Sequence, residues 1–563
     1  MKNLRLLVLP LVCLLGLLYL PVGASAAEED FLYDPGTVNV VEIKLGPDQI
    51  KELEDEPREY VENGEVVLKK TDGTPAGIGA PSQTFKGVEV KLKGQPGGSF
   101  EDLDGKAAFK LKFKKKELFF GVRKLTLNNM TQDPSMIHEA LAYTAFGAAG
   151  VPASRAGYAF VYLNGTNYGL HANVESLDVI SLPKIFGVPF EEEKGQHLYE
   201  AAEYGADFYP GKEPMFEVDE GKADTPADTA DLTNAIAAVD ANGPTQLTTN
   251  LASSFDFAEL TRMWAVEKYI GHWDGYAGAG IPGEEGFNLH RPNNYYLYSD
   301  PTGRFSMLPW GADQTWGGVP GSSKELEFDE QDGRLFDFCL DDQTCSGLFS
   351  SSVANALDKV GGLDLDAQAE ATATMLAPWE ALEVAPRKPF SSSQIAAAVT
   401  KTREFIADRP AEAEDWLFEH PPPIKESEVI ITPGVVVTQP LLEPIPTLGG
   451  PAAQLGQPVI PSKTVTELGI EKGEGVVRLR VRAAVAGTAV LVGRSPLDGR
   501  LRNVCRDELE VKRPRDFTVA CRVSDRGLRR LRNHDLPIFL RLGFTPDGGG
   551  ETVLSRQVNL ARR

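Results

Sequence analysis

Histidine and cysteine are scarce in this chain, with seven and five in 563 residues. His171, His197, His272 and His290 show no ligand spacing, there is no C-x-x-C, and only His534 lies near a cysteine pair. Zinc therefore has no support in the sequence. Ser154 and Ser181 sit in no nucleophile elbow, which leaves a serine hydrolase without a motif. Beyond the first 27 residues no apolar run reaches spanning length, so no integral span is expected after that point.

Those first residues combine Lys2 and Arg5, an apolar run from Leu6 to Val22, and Ala24-Ser25-Ala26. The pattern predicts a secretory signal over 1–27, with a retained anchor as the alternative. Cys13 follows Val12, too large for the small residue that a lipid-attachment site needs there. Setting Cys13 aside leaves Cys339, Cys345, Cys505 and Cys521, an even count that suits disulfides in an exported chain. Three pairings are open. The local one, Cys339–Cys345 with Cys505–Cys521, needs the least long-range coincidence.

The net charge of −23 is unevenly spread. Residues 476–563 carry 19 Lys+Arg against 9 Asp+Glu, so the acid is concentrated before them. Between the two regions, residues 421–465 are rich in Pro and Gly without periodicity, as in an extended linker. The expected organisation is a main domain over 28–420, this linker, and a basic domain over 466–563.

The basic domain alternates apolar and polar residues in VVRLRVRAAV, DFTVACRV and IFLRLGF, which predicts a small all-β, sandwich-like fold. SDRGLRRLRNHDL reads as one short helix. The arginines fall on the outward parity. They make either a solvated face or an attachment surface for anionic cell-wall polymers. Nucleic acid is not expected, because no aromatic platform accompanies them.

In the main domain VNVVEIKL, GVEVKLKG and KAAFKLKFKK alternate, with the glycine-bearing turn KGQPGGSF between the last two. Backbone N–H groups in such a turn and a lysine on the adjoining strand can supply a positive field for phosphates. GVRKLTLNN then leads through Asp133-Pro134-Ser135, a cap signal, into a helix containing Glu139 and ending at Gly147–Gly150. Asn164-Gly165 marks a hairpin, with Glu175 at its exit. A helix over FDFAELTRMWAVEKYIGHWDGYAG leads to Asp274. Asn293 and Asn294 precede the strand NNYYLY, and Asp313 follows LPWGA. Phosphoryl transfer by kinases uses these roles in this order: a phosphate cover, a strand lysine, a helix glutamate, a loop Asp as base, an Asn on metal and a later Asp on metal.

These segments, from GVEVKLKG through GHWDGY, NNYYLY and LPWGADQTWG to REFIADRP, resemble the CotH kinases, the spore-coat-protein-H family of atypical protein kinases. The resemblance implies an α+β, kinase-like two-lobed domain, ATP and Mg²⁺, and phosphorylation of Ser or Thr on secreted or cell-surface proteins. Asp274 matches the catalytic acid. Asp313, with Asn293 or Asn294, matches the metal site. Lys93, Lys106, Glu139 and Glu175 are the nucleotide-binding candidates. The chain departs from the family pattern where Gly311 replaces an acid, His138 an arginine and Glu200 a lysine. The insertion AGAGIPGEEGFNLHRP also lengthens the loop after Asp274. On this reading an acid restored at position 311 leaves nucleotide binding intact or tightens it. A surface or coat assembly protein that uses the fold only to bind is the alternative.

Overall fold

Seven short strands of alternating pattern close on themselves in the computed structural model. The structure describes residues 29–95, 98–278, 292–317, 327–329, 333–423, 465–473, 475–497, 500–532, 536–546 and 552–562. The signal segment, most of the linker, the core of the 277–292 insertion and Pro96-Gly97 of the glycine turn lie outside them.

Two units divide the chain, residues 1–428 and 429–563. In the first, β1 (Val38–Lys44), β2 (Val61–Lys69), β3 (Pro81–Lys93), β4 (Ala108–Lys112), β5 (Lys124–Asn128), β6 (Ala156–Leu163) and β7 (Thr166–Glu175) form a closed barrel. Its order is β1-β2-β3-β4-β5-β7-β6, and β1 closes it by pairing parallel with β6. Helix α1 (Pro47–Asp55) lies between β1 and β2 in the chain. Alternation sorts the side chains: Val88, Val90 and Leu92 of β3, Phe109 and Leu111 of β4, and Leu125 and Leu127 of β5 fill one core. The opposite parity places Lys93, Ala108 and Asn128 on the outer surface of the same three strands.

Helix α2 (His138–Ala148) packs on β6 and β7. Seven of its eleven residues are buried, the apolar ones in the same core as the helix-rich remainder. That remainder holds α3 (Leu182–Phe186), α4 (Ala230–Asn242), α5 (Leu247–Asn250), α6 (Phe257–Tyr269), α7 (Arg334–Asp341), α8 (Gln343–Lys359), α9 (Leu365–Glu380) and α10 (Ser392–Glu419). It also holds a second sheet of β8 (His197–Ala201), β9 (Phe216–Glu220), β10 (Tyr295–Ser299) and β11 (Phe305–Pro309), in the order β11-β10-β8-β9. Cys339 and Cys345 form a disulfide at the α7–α8 junction. Among the described residues no helix is long and apolar enough to cross a membrane.

The second unit has a three-stranded sheet of β12 (Val465–Gly473), β13 (Val476–Ala483) and β16 (Arg515–Arg522). A four-stranded sheet holds β14 (Gly487–Leu497), β15 (Arg500–Val511), β17 (Leu536–Pro546) and β18 (Thr552–Leu560). The two sheets share one apolar core, and the Cys505–Cys521 disulfide joins β15 to β16 across it. Helix α11 (Asp525–Leu531) interrupts the strands, so the unit is not purely β. Arg480 and Arg482 point outward from β13, as the alternation predicts.

Candidate functional site

Antiparallel register builds one half of the site. Tyr295 pairs with Pro309, which carries Asn293 and Asn294, just before β10, to the same end as Gly311 and Asp313, just after β11. The Trp310 N–H donates to Asn294 O at 3.0 Å, extending the ladder by one step. The corner is tied down on two sides. Trp316 N–H donates to Ile270 O at the end of α6 (2.7 Å), and the Trp316 indole donates to His138 O at the head of α2 (3.2 Å).

Asp274 arrives from α6. The loop that carries it is shaped by Glu267, whose carboxylate accepts from Tyr276 N–H (3.1 Å) and Ala277 N–H (2.9 Å). Asn294 Nδ2 donates to Asp274 Oδ2 (2.8 Å) and Asp274 O (3.1 Å), and Asn293 Nδ2 donates to Asp274 Oδ1 (3.2 Å). Burial lifts the Asp274 carboxyl to about 7, against the hydrogen bonds from the two asparagines and with the charge of Asp313.

The barrel and α2 supply the other half. Lys93 ends β3, and Ala108, its partner on β4, leaves room for the lysine to cross toward β5. Lys93 Nζ donates to Asn128 Oδ1 (2.9 Å), and Asn128 Nδ2 donates to both Glu139 oxygens (2.8 and 2.9 Å). The lysine also lies 5.5 Å from the centre of the Trp310 ring. Burial lowers the Lys93 pKa, while Glu139, Glu200 and Asp313 oppose that shift. Burial pushes Glu139 and Asp313 upward, and Asp313's charge adds to the rise at Glu139. Asp133 does the same to Asp313. Asp133 also caps α2, accepting from Ser135 N–H (2.8 Å) and His138 N–H (2.9 Å).

Lys93, Asp274, Asn293, Asn294 and Asp313 are half-buried and Glu139 is buried. Met130, Met136, Asn294 and Trp316 have positive φ, and Gly311 has φ +50. Such clustering of strained backbone is found where the surroundings over-determine a site. His138 bridges two elements, its Nδ1 2.9 Å from Asp313 O and its Nε2 2.8 Å from Thr402 Oγ1 of α10.

Two candidates lie elsewhere. Lys106 Nζ is 2.6 Å from Glu383 Oε1 with both side chains buried, and Glu383 also accepts from Leu170 N–H at 2.8 Å. Glu175 is held by Arg155 through two donors, at 2.8 and 2.7 Å. Buried charges take the nearest partner that neutralises them, and both groups have one away from Lys93, Asp274 and Asp313. The glycine turn is tied by Gln95 Nε2 to Ala202 O (3.1 Å). Asn128 and Glu267 were not singled out from the sequence, and Asp133 was read there only as part of the helix cap. Only the alternation in KLTLN, which puts Asn128 on the outward parity, could have drawn attention to one of them.

Fold and site together define a barrel-and-helix protein in which a cluster of carboxyl and carboxamide groups meets Lys93. The chain belongs to the CotH kinase protein family, whose model matches residues 92–412. Among curated relatives, inner spore coat protein H of Bacillus subtilis (strain 168) is 26% identical over 220 residues, 38% of this chain and 55% of that protein. An inner spore coat protein H-like protein of the same organism is 38% identical over 105 residues, 16% of this chain and 34% of that protein. The match spans about half the length of the first relative and a third of the second.

Proposed function

We propose that this chain is an exported, Mg²⁺-dependent phosphotransferase that moves the γ-phosphoryl group of ATP to Ser or Thr hydroxyls of secreted, surface or coat proteins. The observation that carries this reading is the meeting of Asp274, Asn293, Asn294 and Asp313 with Lys93 in one cluster. These groups offer hard oxygen donors and a surplus of carboxyl groups over cations, which suits Mg²⁺. The bare Cα of Gly311 leaves a cradle beside Asn294 Oδ1, where a Cβ would stand at 2.5 Å. Among the described residues no three His, Cys, Asp or Glu side chains converge to hold a metal alone. Nucleotide phosphates and water would complete such a site, as is usual for Mg²⁺.

Bound MgATP would supply the phosphoryl group and screen its charge. Asp313 and an asparagine amide oxygen would hold the metal, and Lys93 would bind phosphate oxygens. Asp274, lifted to about 7, is suited to take the proton of the substrate hydroxyl as the new O–P bond forms and the bond to the leaving diphosphate oxygen breaks. A second reading, a coat assembly protein that binds without transfer, is favoured by Glu200, whose negative charge acts on Lys93.

Calorimetry of MgATP binding and a phosphate-transfer assay on the full mature chain separate the two. On the kinase reading Asp313→Ala loses Mg²⁺-dependent binding. Asp274→Ala keeps binding but loses transfer by about 10²–10⁴-fold. Binding without transfer in the wild type selects the assembly reading, and Asp313→Ala binding MgATP like wild type removes the metal role.

A further inference from the structure

The expected strand-lysine-to-helix-glutamate contact has a third residue between its ends. Asn128 Oδ1 accepts from Lys93, and Asn128 Nδ2 donates to both oxygens of Glu139. The amide can satisfy both neighbours in one orientation only, because the ammonium has no acceptor atom and the carboxylate, when ionised, no donor. We propose that Asn128 is a positioning residue for the site: it relays the hold of α2, through Glu139, onto Lys93, and so sets where the ammonium is presented to the nucleotide phosphates.

Three further features make the amide a built part of the site. Asn128 is the last residue of β5 and faces outward with Lys93, so strand register fixes both Cα positions. Ala108 on the intervening strand leaves the lysine's path clear. Glu139 is buried in the first turn of α2, and that end of the helix is held by Asp133 and by the Trp316 indole. Among the described residues Asn128 is the hydrogen-bonded link between α2 and Lys93.

The proposal rests on the kinase reading for its purpose, but the relay itself is tested without it. Three nearly isosteric variants are compared with wild type: N128D, E139Q and N128D/E139Q. N128D sets two carboxylates against each other and pairs Lys93 directly, so MgATP affinity and kcat/KM should both fall by about 10-fold or more, the scale of a charge-assisted hydrogen bond. E139Q keeps an oxygen for the Asn128 amide and should lose less. N128D/E139Q restores a donor–acceptor chain with the charge moved one residue along, and should recover thermal stability relative to N128D while MgATP affinity stays low, because Lys93 is now paired. Equal MgATP affinity in N128D and wild type, or a double variant no more stable than N128D, overturns the relay. If the wild type binds no MgATP, the kinase reading falls instead. The relay is then read from the rate at which Lys93 reacts with an amine-directed reagent at fixed pH. That rate should be lower in N128D and N128D/E139Q than in wild type, and equal rates in all variants overturn the proposal.

Discussion

A Cβ placed on Gly311 would stand 2.5 Å from Asn294 Oδ1, while Asn294 Nδ2 is engaged with Asp274. This argues against the expectation that an acid at 311 leaves nucleotide binding intact or tightens it. Gly311 has φ +50, where side chains are strained, and the atom in the way belongs to an amide that is already hydrogen-bonded. Gly311→Asp should therefore cost about 1–3 kcal/mol of stability, the scale of a strained position. It should also weaken MgATP binding by displacing Asn294. Unfolding curves and calorimetry check both, and a variant as stable as wild type with unchanged affinity would restore the first expectation.

The buried pair Lys106–Glu383 should behave as structure rather than as a nucleotide contact. Lys106→Met leaves Glu383 without its cation and should destabilise the first unit by about 3–5 kcal/mol. Adding Glu383→Gln keeps an acceptor for Leu170 N–H and should return part of the loss. MgATP affinity, measured below the melting temperature of the variant, should stay within about twofold of wild type, since among the described residues no shared side-chain partner links the pair to Lys93, Asp274 or Asp313. A selective loss of affinity in Lys106→Met would return the lysine to the site.

His171 gives the barrel a defined acid sensitivity. The ring is buried beside Phe109, with Gly169 O at 3.1 Å and Ala107 O at 2.9 Å from its two nitrogens. Burial, with the charge of Lys106 beside it, lowers its pKa from 6.5 to about 4. Between those values the folded chain binds fewer protons here than the unfolded chain. This contribution to stability is therefore complete above pH 6.5 and is lost as the pH falls toward 4, by about 2–3 kcal/mol. Urea unfolding of His171→Gln at pH 7 and pH 4.5 should show a smaller difference than wild type. An equal or larger difference would assign the acid sensitivity to other groups.

The four paired cysteines should give no free thiol in the denatured, unreduced mature chain. Removing the Cys505–Cys521 bridge, which spans 16 residues, should cost the second unit about 3 kcal/mol on the chain-entropy estimate. Stoichiometric labelling without reductant, or a Cys505→Ser/Cys521→Ser variant that unfolds at the wild-type denaturant concentration, would contradict this.

Much of the site was legible because it is written in local pattern. Alternation assigned β1, β3 and β4. The aromatic run NNYYLY, with LPWGA after it, announced a hairpin whose register alone brings Asn294 beside Trp310. Strand β2 escaped the reading. Its Asn63-Gly64 looks like a hairpin turn, but it lies within the strand at a bulge, where Asn63 has φ 63 and the register with β3 shifts.

Partners at long range were not written in that pattern. Closure of the barrel depends on a parallel pairing of β1 with β6, which no local period specifies. Lys93 and Lys106 are alike in sequence, each beside an alternating strand. Packing set one, half-buried, beside Asn128 and buried the other against Glu383, 277 residues away. Sequence determined which face of a strand each charge occupies, because the period of a strand is local. Tertiary structure decided which charges remain available for chemistry, because a charge taken out of water must be paired by whatever the fold brings to it.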